Sequence, residues 1–84
     1  MNVLFHARGW EDYLHWQRAE RKMPGRINRL IKECRRTPLK GTGKPEPLKG
    51  EFSGWWSRRI DHEHRLVYRV RDGALEVAQC RYHY

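Results

Sequence analysis

The sequence predicts an α+β fold, two helices packed on one face of a mainly antiparallel sheet, and three observations carry that prediction. Asp72-Gly73 lies between two β-rich runs, the strongest short-range signal for a hairpin with a two-residue turn. Two stretches, from about Trp10 and from Met23, place apolar residues at helical spacing. A Pro/Gly-rich segment then separates these helices from three strand-like runs that end the chain. The predicted order is β-α-α-loop-β-β-β, in a single domain spanning residues 1–84.

Each element has its own reason. Asn2-Val-Leu-Phe5 reads as a short first strand. Trp10, Tyr13, Leu14 and Gln17 follow helical spacing, with Glu11 and Asp12 expected in the first turn and no good N-cap before it. Pro24 suits the first turn of the second helix, where Met23, Ile27, Leu30, Ile31 and Cys34 form one apolar stripe. Thr37-Pro38 stops that helix. Residues 39–50, with three glycines and two further prolines, cannot form a helix or a central strand, and Pro45 and Pro47 hold Glu46 extended. Ser53-Gly-Trp-Trp-Ser-Arg-Arg-Ile60 is the next strand, and Asp61-His-Glu-His64 connects it to the hairpin.

In a tight hairpin Arg71 faces Ala74, Arg69 faces Glu76 and Arg65 faces Cys80. Leu66, Tyr68, Val70, Leu75 and Val77 then form a core face. Arg65, Val67, Arg69, Glu76, Ala78, Cys80 and Tyr82 form the other, an unusual set unless something anionic lies on it. Strict alternation would send His83 to the core side, away from Arg65. Convergence of the two requires either that the strand ends near Arg81 and the tail turns back, or that a bulge shifts the register. The first is the expectation, with a tail that stays mobile until a partner or substrate orders it.

Composition narrows the function. An 84-residue chain buries only about 60–65 % of its unfolded surface, and its four Trp, four Tyr and two Phe supply much of the core. Cys34 and Cys80 make no disulfide framework or CxxC pair, and no apolar run reaches membrane length. A reduced cytoplasmic protein is expected. The net charge of +8 is concentrated in residues 18–44, where ten Lys/Arg stand against Glu20 and Glu33. Arg18, Lys22, Arg26, Arg29, Lys32 and Arg36 form a basic stripe across the two helices, which points to a polyanionic partner. A solvated helix face would ordinarily intersperse acidic residues.

Glu46, Lys49, Arg59, Arg65, Arg81, His83 and Tyr84 are the residues that could do chemistry. A carboxylate and an imidazole can move protons near neutral pH, and arginines can stabilise charge on a phosphate. That set allows metal-free RNA cleavage by attack of a 2′-hydroxyl on the adjacent phosphorus. Each residue also has a plainer role open to it: Glu46 as a surface carboxylate, Arg65 and Arg69 as partners of Glu63 and Glu76, His83 as a surface terminus. His62-x-His64 lacks the ligands that would complete a metal site, and Ser53 and Ser57 lack a nucleophile elbow. The competing reading is a non-catalytic basic module that coats RNA or DNA.

Five blocks, Arg35-Arg-Thr-Pro38, Gly43-Lys-Pro-Glu-Pro-Leu-Lys49, Ser53-Gly-Trp-Trp-Ser-Arg-Arg-Ile60, Glu63-His-Arg-Leu-Val-Tyr68 and Cys80-Arg-Tyr-His-Tyr84, resemble the YoeB toxins of the RelE superfamily. The resemblance runs from the first strand to Tyr84. It implies a microbial-ribonuclease-like fold and a toxin that enters the ribosomal A site and cuts mRNA to a 2′,3′-cyclic phosphate. It also implies an acidic YefM-like antitoxin, a possible homodimer, contact with DNA only through the antitoxin complex, and no cofactor. Residue by residue, Glu46 would be the general base, His83 the general acid, Arg65 the phosphate stabiliser and Tyr84 an orienting group. Lys49, Arg59 and Arg81 would lie near the phosphates. His6, Arg8 and several basic residues between 18 and 29 depart from the family pattern, outside the site.

Overall fold

The computed structural model describes residues 1–84. Its elements are β1 (Asn2–Phe5), α1 (Ala7–Ala19), α2 (Met23–Arg36), β2 (Glu46–Pro47), β3 (Trp56–Arg59), β4 (Arg65–Arg71) and β5 (Ala74–Gln79), with a 3₁₀ turn at Gly50–Phe52. The strands form one five-stranded sheet in the order β1-β5-β4-β3-β2. Neighbours pair antiparallel except β1, which runs parallel to β5. The α+β expectation holds, with one strand added. Pro45 and Pro47 confine that extra strand to two residues at the sheet edge, where a missing N–H costs least.

α2 follows its sequence closely. Met23, Ile27, Leu30 and Cys34 are buried, Ile31 is half-buried, Pro24 is in the first turn and Thr37 is the C-cap. They join Trp16, Ile60, Leu66, Tyr68, Leu75, Val77 and Cys80 in one core between the helices and the sheet. Burial pushes the Cys34 thiol up to about 11 and the Cys80 thiol up to about 12, so both stay protonated and unpaired.

α1 differs from its predicted face. Trp10 and Leu14 are exposed, and the inward residues are Gly9, Asp12 and Trp16. Helix begins at Ala7, so Glu11 and Asp12 lie beyond its first turn. The cause is in β5. The hairpin keeps its expected register through Arg71↔Ala74, Arg69↔Glu76 and Tyr68↔Val77, then Val67 pairs with Gln79 and leaves Ala78 as a bulge. The extra residue turns Cys80 from the open face, where alternation put it, into the core. It also leaves backbone groups of β5 without strand partners, and α1 supplies them. Asp12 Oδ2 accepts the Cys80 N–H at 3.1 Å, and Trp16 Nε1 donates to the Cys80 carbonyl at 2.8 Å. A helix that packs against strand backbone needs small and polar groups, not Leu. Val70, expected in the core, lies 43 % exposed near the hairpin turn.

Gly9 shows how close the approach is. A Cβ there would sit 2.6 Å from the Val77 carbonyl oxygen. Ala for Gly inside a helix ordinarily gains about 0.5–1 kcal/mol. Gly9→Ala should reverse that sign and cost about 1–3 kcal/mol, because a backbone carbonyl cannot yield as a side chain can. A urea midpoint at or above that of the parent chain would show that α1 moves away freely.

Candidate active site

Pairing across the sheet assembles one row from four strands. Glu46 opposes Ser57, Ser57 opposes Val67, and Val67 opposes Gln79. Two residues further along, Arg59 opposes Arg65 on the same, helix-free face. The C-terminal tail folds onto this row. Tyr82 takes φ +63°, in the left-handed region that a side chain makes costly by on the order of 1 kcal/mol. Its N–H donates to His64 Nδ1 at 2.7 Å, and its carbonyl accepts the Arg65 N–H at 3.0 Å. Gln79 Nε2 then reaches the His83 carbonyl at 3.3 Å, and the Tyr84 hydroxyl meets Ser57 Oγ at 3.3 Å. Both of the devices that could unite His83 with Arg65 are therefore present, the bulge and the turned-back tail. Bonds from within the chain hold the turn.

The result is a cleft of about 90 Å³ lined by Lys44, Glu46, Ser57, Arg59, Arg65, His83 and Tyr84. Five of the seven chemistry residues singled out from sequence converge there. Lys49 does not; it is exposed at the start of the 3₁₀ turn. Nor does Arg81, whose guanidinium stacks over the Tyr82 ring at 4.5 Å and the Trp16 ring at 6.0 Å. Lys44 and Ser57 are additions. The sequence signal for Ser57 was its alternation with Arg59, which puts both on one face.

Arg65 is buried, and no carboxylate lies within 4 Å of it, so the plainer role as a partner of Glu63 is not the one it takes. Its Nη1 donates instead to the Asp61 and His64 carbonyls at 2.9 and 3.2 Å, which leaves the other guanidinium nitrogens free. Arg69 does pair with Glu76. Glu46 has no ion-pair or hydrogen-bond partner for its carboxylate and is exposed. His62 is exposed, and no group of three His, Cys, Asp or Glu side chains comes together to hold a metal.

Arg58 points the other way and was missed. It is fully buried under the 37–43 segment, donating to Tyr68 Oη at 3.1 Å and to the carbonyls of Thr37, Lys40 and Thr42. Glu33 lies 3.5 Å from it and also accepts the Thr42 N–H, and that backbone bond leads the effects that hold its carboxyl below the usual range. Arg59 N–H donates to the Gly43 carbonyl at 2.7 Å, and Gly43 sits at φ +87° where a Cβ would meet the Arg59 carbonyl at 2.9 Å. This scaffold delivers Lys44 and Glu46 to the cleft.

All six residues of the basic stripe are exposed. Arg26, Arg29 and Arg59 line a larger groove of about 290 Å³ beside α2, and Arg59 is common to it and the cleft.

On the same open face Glu76 binds His6 Nε2 at 2.8 Å, Arg69 Nη2 at 3.1 Å and Arg71 Nε at 3.0 Å. The His6 bond first, then the arginines against a cost of burial, pull its carboxyl down from 4.5 to about 2. A depressed acid stabilises the fold above its unfolded value and loses that contribution as pH falls through the folded one. Acid unfolding of the parent chain should therefore steepen between about pH 4.5 and 2, and Glu76→Gln should flatten that limb. Superimposable acid limbs for the two chains would remove Glu76 from the balance.

A family described as the YoeB-like toxin of bacterial type II toxin-antitoxin systems matches residues 5–84. The chain belongs to the YoeB-like toxin family. Toxin YoeB of Streptomyces coelicolor is 58 % identical over 84 residues and Toxin YoeB of Escherichia coli K12 55 %, each covering 100 % of both chains. A solved YoeB/ParE toxin from Agrobacterium tumefaciens superposes with a TM-score of 0.95 at 52 % identity, covering 100 % of both chains. YoeB in the heterotetrameric YoeB–YefM complex from Staphylococcus aureus gives 0.91 at 47 %, covering 100 % of this chain and 98 % of that one. YafQ from Escherichia coli, at 17 % identity and a TM-score of 0.81, shares the fold. This YoeB-like chain has no helix long and apolar enough to cross a membrane.

Proposed function

We propose that this toxin is a ribosome-dependent mRNA endoribonuclease that needs no metal or other cofactor. The observation that carries the reading is the convergence of Glu46, Arg59, Arg65, His83 and Tyr84 in one cleft. Glu46 takes the proton from a ribose 2′-hydroxyl, and the 2′-oxygen forms a bond to the adjacent phosphorus. The P–O5′ bond breaks, and the leaving 5′-oxygen receives a proton from His83, giving a 2′,3′-cyclic phosphate and a 5′-hydroxyl. The free nitrogens of Arg65, with Arg59, stabilise charge on the phosphoryl oxygens. Tyr84, braced by Ser57, orients the nucleotide. Lys44 adds a cation at the rim. Lys49 and Arg81 fit a role in longer-range attraction.

The basic stripe with the adjoining arginine groove suits ribosomal RNA, and the shared Arg59 suits a strand that passes from groove to cleft. The Staphylococcus aureus relatives include a YoeB–YefM complex and a YoeB dimer, which supports an acidic YefM-like antitoxin and a homodimer here. DNA would be met only through the antitoxin complex, and the site of action is the bacterial cytoplasm.

The test is to express the chain alone and map mRNA ends. Growth arrest with new cuts within codons on ribosome-bound message is expected, abolished in Glu46→Gln or His83→Gln. Uncut mRNA under growth arrest would leave the binding-only reading. In parallel, Arg26→Ala, Arg29→Ala and Lys32→Ala together should weaken ribosome binding and flatten its log–log salt slope by about 2–3. An unchanged slope would reassign the stripe to solubility.

A further inference from the structure

We propose that His64 is the positioning residue for His83: its Nδ1, by accepting the Tyr82 N–H, holds the turn that brings the acid into the cleft. The proposal rests on the reading of His83 as that acid. His64 is buried immediately before β4, 8 % exposed, and the bond to Tyr82 at 2.7 Å is its ring's one hydrogen bond within the chain. An amide N–H can only donate, so Nδ1 must be a bare acceptor. The ring proton then belongs on Nε2, which faces Glu63 Oε1 at 3.9 Å.

The bond acts where the chain most needs support. Tyr82 occupies the left-handed region without being glycine, and such a residue persists only when its surroundings over-determine it. His64 fixes Tyr82 from its N–H and the Arg65 N–H fixes it from its carbonyl. Two adjacent residues, one just before β4 and one its first, therefore set the turn, and the second of them also carries the guanidinium of the cleft. His83 and Arg65 are thereby referenced to the same short stretch of backbone. Packing alone does not account for the ring. It lies edge-on to Trp16 at 4.8 Å and tilted on Tyr82 at 5.7 Å, contacts that a leucine or phenylalanine could make without a nitrogen.

The arrangement works only while Nδ1 is unprotonated, since a charged ring would set one donor against another.

The experiment compares four full-length chains: the parent, His64→Asn, His64→Leu, and a chain whose Arg81–Tyr82 amide is replaced by an ester. The last is made by ligating a synthetic 80–84 segment at Cys80, and it deletes one donor while leaving every side chain. His64→Leu and the ester chain should lose on the order of 10²-fold in kcat for ribosome-dependent cleavage with KM for the ribosome unchanged within about twofold. His64→Asn, whose amide oxygen can take the Nδ1 place as an acceptor, should recover most of the rate. Independently of cleavage, hydrogen exchange at the Tyr82 amide should be protected in the parent and in His64→Asn and unprotected in His64→Leu. If the parent chain cuts no mRNA, the functional reading fails while the amide exchange still decides the positioning claim. If His64→Leu does not fold, the ester chain decides it. An ester chain that cleaves within twofold of the parent, or a Tyr82 amide that exchanges freely in the parent, overturns the proposal.

Discussion

Glu46→Gln and His83→Gln should each slow cleavage of ribosome-bound mRNA by about 10²- to 10⁴-fold, the usual contribution of one positioned acid or base. Both chains should fold and bind ribosomes normally. Neither side chain is tied into the fold: both are exposed, the Glu46 carboxylate has no protein partner, and His83 is held through its backbone carbonyl. Surface changes of this kind cost within about 0.5 kcal/mol of stability. The double variant should be little worse than the weaker single one, because the two residues act on one transition state and their losses do not add. Arg65→Ala is a poorer probe, since it also frees the Asp61 and His64 carbonyls inside the fold. Single-turnover cleavage of a programmed ribosome complex measures all of these. A rate within tenfold of the parent for either glutamine variant would remove that residue from proton transfer.

Arg58→Ala should cost about 3–5 kcal/mol, the scale seen when one partner of a buried charged network is deleted. The guanidinium is fully buried and serves Tyr68 Oη and three carbonyls of the 37–42 segment. Its loss would leave those acceptors unpaired beneath the loop, while Glu33, a third exposed, could turn to water. For a domain this small each kcal/mol moves the thermal midpoint by about 4–8 °C, so a fall on the order of 15–30 °C is expected. Arg58→Met keeps most of the packed chain but no donors. If it fares as badly as alanine, the hydrogen bonds dominate over the filled volume. Cleavage should drop even well below the midpoint, because the same segment leads to Lys44 and Glu46. A midpoint shift of less than 5 °C would show that the loop holds itself.

Local chemistry made much of this molecule legible before any coordinates. Asp72-Gly73 needs positive φ, and it set the turn and the first pairs of the hairpin. A clean 3.6-residue stripe and the Thr37-Pro38 stop defined α2, since both depend on neighbours along the chain. The blocks around Glu46, Arg65 and His83 marked the chemistry because few structural roles call for an imidazole, a carboxylate and unpaired guanidinium together.

The rest was decided across the fold. The inward face of α1 follows from the β5 backbone, so Gly9, Asp12 and Trp16 were hidden behind the more apolar Trp10 and Leu14. Arg58 and Arg59 are identical in sequence terms, and only the sheet sends one into the interior and the other to the cleft. The bulge at Ala78 and the reversal at Tyr82 have no local signature, because neither residue prefers those conformations alone. They exist because His64, Arg65, Asp12 and Trp16, between 17 and 68 residues from their partners along the chain, accept or donate the hydrogen bonds that the strand ladder gives up there. A one-residue shift in a period-two strand exchanges its faces, so those long-range bonds determined which side of the sheet received His83 and which received Cys80.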